Sequence, residues 1–136
     1  MSVNSLYATA AMIEAGAGLA LLCLPSAAAK LLLGSPLQEP AAFTVARVGG
    51  AGLFTLGLAC WLARSDTQSS AARGLTTAMV VYNLGVALIL GAAGLRLQPV
   101  GVILWPAVVL HTAMTGWCIM SLRHTSFAER PGNLRQ

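Results

Sequence analysis

The sequence predicts an all-α fold: an integral-membrane, up-down antiparallel four-helix bundle with a short interfacial helix after the first span. Three observations carry this expectation. The chain of 136 residues is 57% hydrophobic and only 9% charged, whereas soluble domains carry about 25% charged residues. Four apolar segments are each about 20 residues or slightly longer, enough at 1.5 Å per residue to cross a hydrocarbon core of about 30 Å. The connections between them are short and polar or broken by Pro and Gly, so that sequential neighbours run antiparallel. A single domain suits the length.

The first span is expected over residues 5–24, where a run from Tyr7 to Leu24 is interrupted by one charge, Glu14. LALLCLPSAAA, residues 19–29, has the outline of a signal-peptide core and cleavage site, but no Lys or Arg occurs in the first nine residues and Glu14 breaks the apolar region. The segment is therefore expected to be a retained helix. Pro25 ends it, and Ser26 is placed to cap an interfacial helix, SAAAKLLL, closed by Gly34 and Pro36. The second span is expected over 41–63, the third over 73–95 and the fourth over 100–122, joined by the turns SDTQSS and RLQP. Residues 125–136 form a polar tail.

Charge placement sets the expected orientation. Arg64, Arg73, Arg123, Arg130 and Arg135 fall on the side shared by both termini, and Lys30 and Arg96 on the other. The positive-inside rule then puts both termini in the cytoplasm. Trp61 and Trp117 fall near that interface and Trp105 near the opposite one. The net charge of +4 comes from scattered residues without a Lys/Arg cluster, so no nucleic-acid partner is expected. Small residues recur along helix faces, as in Ala42, Ala46 and Gly50, Gly49 and Gly52, or Thr112 and Gly116. Such faces suit close packing within the chain, or against a protein partner or second copy in the bilayer.

Four polar residues stand at membrane depth, one per span: Glu14, Arg47, Asn83 and His111. Insertion of a charge at the bilayer centre costs about 2.5–3.5 kcal/mol, so such groups face the interior or a wet cavity. Counted from the cytoplasmic ends, Glu14, Asn83 and His111 lie at roughly 13, 15 and 18 Å, close to one level. Each has a plainer reading. Asn83 can be interhelical glue, His111 a neutral ring bonded to a carbonyl, and Arg47 can snorkel outward. Glu14 is too short to reach an interface and must be paired, protonated or hydrated. Arg47 is its expected main partner, with Asn83 or His111 second. The axial gap to Arg47 is about 12 Å counted from the cytoplasmic ends and about 5 Å from the outer ends. Tyr82 and Trp105 complete the candidate set, since His111, Asn83 and Tyr82 could bond a ligand carbonyl with Trp105 nearby.

Cys23, Cys60 and Cys118 are far apart and form no CxxC pair, and no His/Cys/carboxylate cluster has metal spacing. One membrane histidine cannot supply two axial ligands to a haem within one chain. There is no GxSxG motif, phosphate loop or dinucleotide fingerprint. The chain is expected to be no enzyme, to hold no metal and to need no cofactor of its own, quinone being the apolar ligand an intrabundle site would suit.

The stretch RVGGAGLFTLGLACWLARSDTQSSAARGLTTAMVVYNL, Arg47 to Leu84, resembles the DoxX-like group of small bacterial four-helix membrane proteins. The shared texture is a glycine-rich second helix with Leu-Gly-Leu near its middle and Arg at its end, a short loop and a small-residue helix. The resemblance implies a bacterial inner-membrane protein and a subunit linked to redox partners, and it transfers no catalytic residue. Glu14 in the first helix is also similar in position to the essential glutamate of small multidrug-resistance transporters; Arg47, the polar tail and the rest of helix 1 depart from that pattern. The functions expected are, in order, an accessory or interaction subunit of a larger membrane complex, an intrabundle site for an apolar ligand, and proton-coupled transport through Glu14.

Overall fold

A computed structural model describes residues 3–66, 68–97 and 99–128, with side chains to position 123. Five helices follow in order: α1 (Val3–Cys23), α2 (Pro25–Leu33), α3 (Pro40–Ala63), α4 (Ser70–Arg96) and α5 (Leu104–Ala128). The described chain is all-α, and α1, α3 and α4 are long and apolar enough to cross a membrane. α5 is of similar length and carries His111, Thr112, Thr115 and Ser121 between its apolar residues.

Helix boundaries follow local chemistry. Pro25 and Pro40 open α2 and α3; the fixed φ of proline is already helical and its missing N–H is one the first turn leaves unbonded. Ser26 thus lies inside α2 rather than capping it, and Leu24 holds the cap position without a side-chain bond. Gly34 closes α2 at φ 85°, its N–H donating to Lys30 O at 3.0 Å, as the sequence leads one to expect of a helix-ending glycine. α4 starts three residues earlier than its apolar run. Ser69 caps it by accepting from Ala72 N at 3.1 Å, and Asp66 Oδ1 accepts from Ser69 N at 3.2 Å. α5 starts four residues later than expected because the preceding turn is pinned to α2. Ile103 N donates to Leu31 O at 3.2 Å, and Gly101 lies against the Leu31 backbone. α5 runs on through Ala128, past the expected end at 122; the rest of the expected tail, 129–136, lies outside the described residues.

The helices pack as two close antiparallel pairs. Along α1 and α3 the backbones meet at glycines. A Cβ added to Gly18 would lie 2.7 Å from Gly50 O, and one added to Gly57 would lie 2.6 Å from Ala15 N. Rising numbers on α1 meet falling numbers on α3, which fixes the register at Gly18 beside Gly50 and Ala15 beside Gly57. α4 and α5 are antiparallel too, with Gly94 against Leu104 and Asn83 against His111. Side chains bridge the pairs: Tyr7 Oη donates to Ala72 O at 2.6 Å and lies 2.6 Å from Thr76 Oγ1, and Cys60 Sγ sits 3.9 Å from Met79 Sδ. Leu6, Tyr7, Ala10, Cys60, Met79 and Cys118 form the centre of the core.

The polarity of the molecule is inverted relative to a water-soluble domain. Val48, Val81, Leu88, Ile89 and Leu95 face outward, while Glu14, Thr76, Asn83, His111, Thr115 and Ser121 are buried.

Candidate functional site

The buried polar residues form a connected cluster on three helices. α1 contributes Glu14, 2% exposed, on the stripe that also buries Tyr7, Ala10, Ala11 and Gly18. α4 contributes Tyr82 and the fully buried Asn83, and α5 contributes His111, 8% exposed. Tyr82 Oη donates to Glu14 Oε2 at 2.8 Å. The Tyr82 and His111 rings meet edge to face, with centroids 5.8 Å apart. His111 Nδ1 lies 2.7 Å from Asn83 Oδ1, and Asn83 Nδ2 donates to Met79 O at 2.8 Å.

These bonds settle the proton on the imidazole. Because the Asn83 amide nitrogen is committed to Met79 O, its oxygen faces His111 and accepts. Nδ1 therefore carries the hydrogen, and in the neutral ring Nε2 is left as an acceptor. Thr115 Oγ1 donates to His111 O at 2.8 Å, one turn along α5. Among the described residues, Trp117 Nε1 is the buried side-chain nitrogen or oxygen without a partner.

Of the residues singled out in the sequence, Glu14, Tyr82, Asn83 and His111 come together. Arg47 does not. It is exposed on α3, and no ion pair joins it to Glu14 among the described residues. The cause is register. Gly57 meets Ala15 and Gly50 meets Gly18 and Leu22, which puts Glu14 level with Leu56, nine residues from Arg47, or about 13 Å along the axis. The axial gap is thus the larger of the two expected values, the one counted from the span ends on the side of the chain termini. Trp105 also stands apart: it is 45% exposed, lies against Gly94 and is six residues, or about 9 Å, from His111. Among the described residues, no group of three His, Cys, Asp or Glu is placed to hold a metal ion.

Sequence reasoning passed over Tyr7 and Thr76. The signal was present: Tyr7 and Glu14 are seven apart on α1, and Thr76 and Tyr82 are six apart on α4, each pair about two turns apart. On parallel helices these pairs form two rungs, Tyr7–Thr76 and Glu14–Tyr82.

Two recesses lie on the α1/α3 pair away from the cluster. One, of about 400 Å³, is apolar and is lined by Met12, Ala15 and Gly16 of α1 and by Phe54, Leu58 and Trp61 of α3, among others. The second, of about 390 Å³, is lined by Asn4, Ser5, Ala8, Arg64 and Ser65.

No family model, no curated protein and no solved structure matches the chain.

Proposed function

We propose that the chain is a small membrane protein in which α1, α3, α4 and α5 form an up-down four-helix bundle, and that it acts as a non-catalytic interaction subunit of a larger membrane assembly. Three apolar helices of spanning length, an apolar exterior and a polar interior support the membrane location. The arginine distribution supports cytoplasmic termini. A bacterial inner membrane and redox-linked partners are what the DoxX-like resemblance adds.

One observation carries the interaction reading. On α4, Gly74, Ala78, Val81 and Gly85 follow one another at i, i+4, i+7 and i+11, a single stripe. A Cβ on Gly74 or Gly85 would meet nothing within 4 Å, and Val81 is 68% exposed. Glycine costs a helix about 1 kcal/mol relative to alanine, and none of the described helices uses that open space. In lipid, such a face lets another transmembrane helix approach closely. Purification of the tagged chain from its native membranes in a mild detergent tests the proposal. A discrete complex larger than one chain is expected, and consistent migration as a single chain counts against it.

A second reading rests on Glu14. Its carboxyl bonds to a neutral hydroxyl and has no ion-pair partner among the described residues, as suits proton exchange during transport or a ligand carbonyl, quinone included, bound at Tyr82 and His111. Proteoliposome flux or quinone retention that survives Glu14→Gln and His111→Ala would rule it out.

A further inference from the structure

The two recesses on the α1/α3 pair lie one after the other along a single seam. On α1, Asn4 and Ala8 line the polar recess, and Met12, Ala15 and Gly16 the apolar one. At 100° per residue these five positions fall on one face of the helix. On α3 and its C-terminal turn, Ser65 lines the polar recess, and Phe54, Leu58 and Trp61 the apolar one, again along one stripe. The polar recess therefore continues the apolar groove along the same seam. From residue 4 to residue 16 the trough runs about 18 Å, close to the roughly 15 Å half-thickness of a hydrocarbon core plus the start of the headgroup layer.

The polar end is built for an anion. The Arg64 guanidinium lies over the Trp61 ring at 3.9 Å and donates to Trp61 O at 2.6 Å, which holds it at the mouth of the groove. The first turn of α1 carries no acidic residue, and its N–H groups add positive potential. The nearby acid, Asp66, has Oδ1 engaged by Ser69 N. Trp61 belongs to the aromatic layer that sits at headgroup level. At the other end the small side chains of Ala15 and Gly16 leave the floor open, and a Cβ on Gly16 would meet nothing within 4 Å.

We propose that this trough is a binding site for one anionic phospholipid, its phosphate held by Arg64 with Asn4 and Ser65 and one acyl chain lying between α1 and α3 along Gly16. A partner helix would have to present an anion to Arg64 and an apolar face to the groove at once; a leaflet lipid has both parts in this order. The proposal rests on the membrane reading above and is independent of the α4 face.

Native mass spectrometry of delipidated protein in detergent tests it, with phosphatidylglycerol and phosphatidylcholine of identical acyl chains added in turn. A single lipid adduct is expected, with phosphatidylglycerol favoured about fivefold, the factor that about 1 kcal/mol per basic side chain corresponds to. Arg64→Gln should bring phosphatidylglycerol down to the phosphatidylcholine level. Gly16→Leu, which fills open space and should leave the helical circular dichroism unchanged, should weaken both lipids. Adducts that keep wild-type affinity and preference in both variants would overturn the site, as would a co-purifying protein displaced by Gly16→Leu while lipid binding is unchanged. Membrane embedding is read separately, from partition of the chain into carbonate-washed membranes.

Discussion

The α1/α3 contact makes a prediction in which the clash can be separated from every other effect of the same substitution. Gly57→Ala adds a Cβ 2.6 Å from Ala15 N and 3.0 Å from both Ala11 O and Ala15 Cβ. Backbone atoms cannot swing aside, and uncrowded contact is near 3.5 Å, so the helices must part by about 0.9 Å. That displacement reaches the second close approach, Gly18 on Gly50. Overpacking of this kind costs about 1–3 kcal/mol. Alanine also returns about 1 kcal/mol of helix propensity, which would blur the result alone. Gly52 supplies the reference: it lies on the same helix, and a Cβ there meets nothing within 4 Å. Since both substitutions carry the same propensity gain, their difference isolates the clash at about 1–3 kcal/mol. Thermal unfolding in detergent, followed by circular dichroism, should place Gly57→Ala several degrees below Gly52→Ala. Equal midpoints, or a more stable Gly57→Ala, would refute the register derived from the glycine contacts.

Further outcomes are expected elsewhere. Asn83→Ala removes the acceptor of His111 Nδ1–H and the donor to Met79 O, and should cost about 1–2 kcal/mol in the same assay. Tyr82→Phe and Glu14→Ala should be non-additive in a double-mutant cycle because they share one hydrogen bond; strict additivity would show the bond to be absent in the detergent-solubilised protein. Ser69→Ala removes the α4 cap and should cost about 1 kcal/mol. Hydrogen bonds from the Ser69 side chain and backbone hold the Asp66 carboxyl below its ordinary range, so its contribution is present at neutral pH and is lost as pH falls below about 4; Asp66→Asn should flatten that acid limb. Gln68→Cys should be labelled by an impermeant maleimide only after cells are opened, and labelling of intact cells would invert the topology.

The all-α class, and the spanning length and apolar character of α1, α3 and α4, were legible in the sequence because length and composition are local properties. The helix ends were less so. α4 begins at a capping serine outside its apolar run, and the start of α5 is set by a contact with Leu31, some seventy residues back in the chain. Glu14, Asn83 and His111 could be brought to one level by counting residues from the span ends on the side of the chain termini. Arg47 could not be placed that way, because counts from the two ends disagree until a side-to-side register is known. Gly18, Gly50 and Gly57 set that register through backbone contact, which leaves no periodic signal to distinguish them from the open glycines at positions 49 and 52. The lipid trough was not legible either, since it needs Asn4 and Ser65, sixty-one residues apart, on one seam.

The central claim, that the glycine-bearing face of α4 meets another transmembrane helix, is tested most directly by placing a photo-crosslinking side chain at Val81, which is 68% exposed on that face. Irradiation of native membranes should give a protein adduct of one discrete mass, a second copy of the chain included. Gly85→Leu, which enters open space in this chain, should abolish the adduct without lowering the unfolding midpoint. Adducts to lipid alone, or a protein adduct indifferent to Gly85→Leu, would contradict the account.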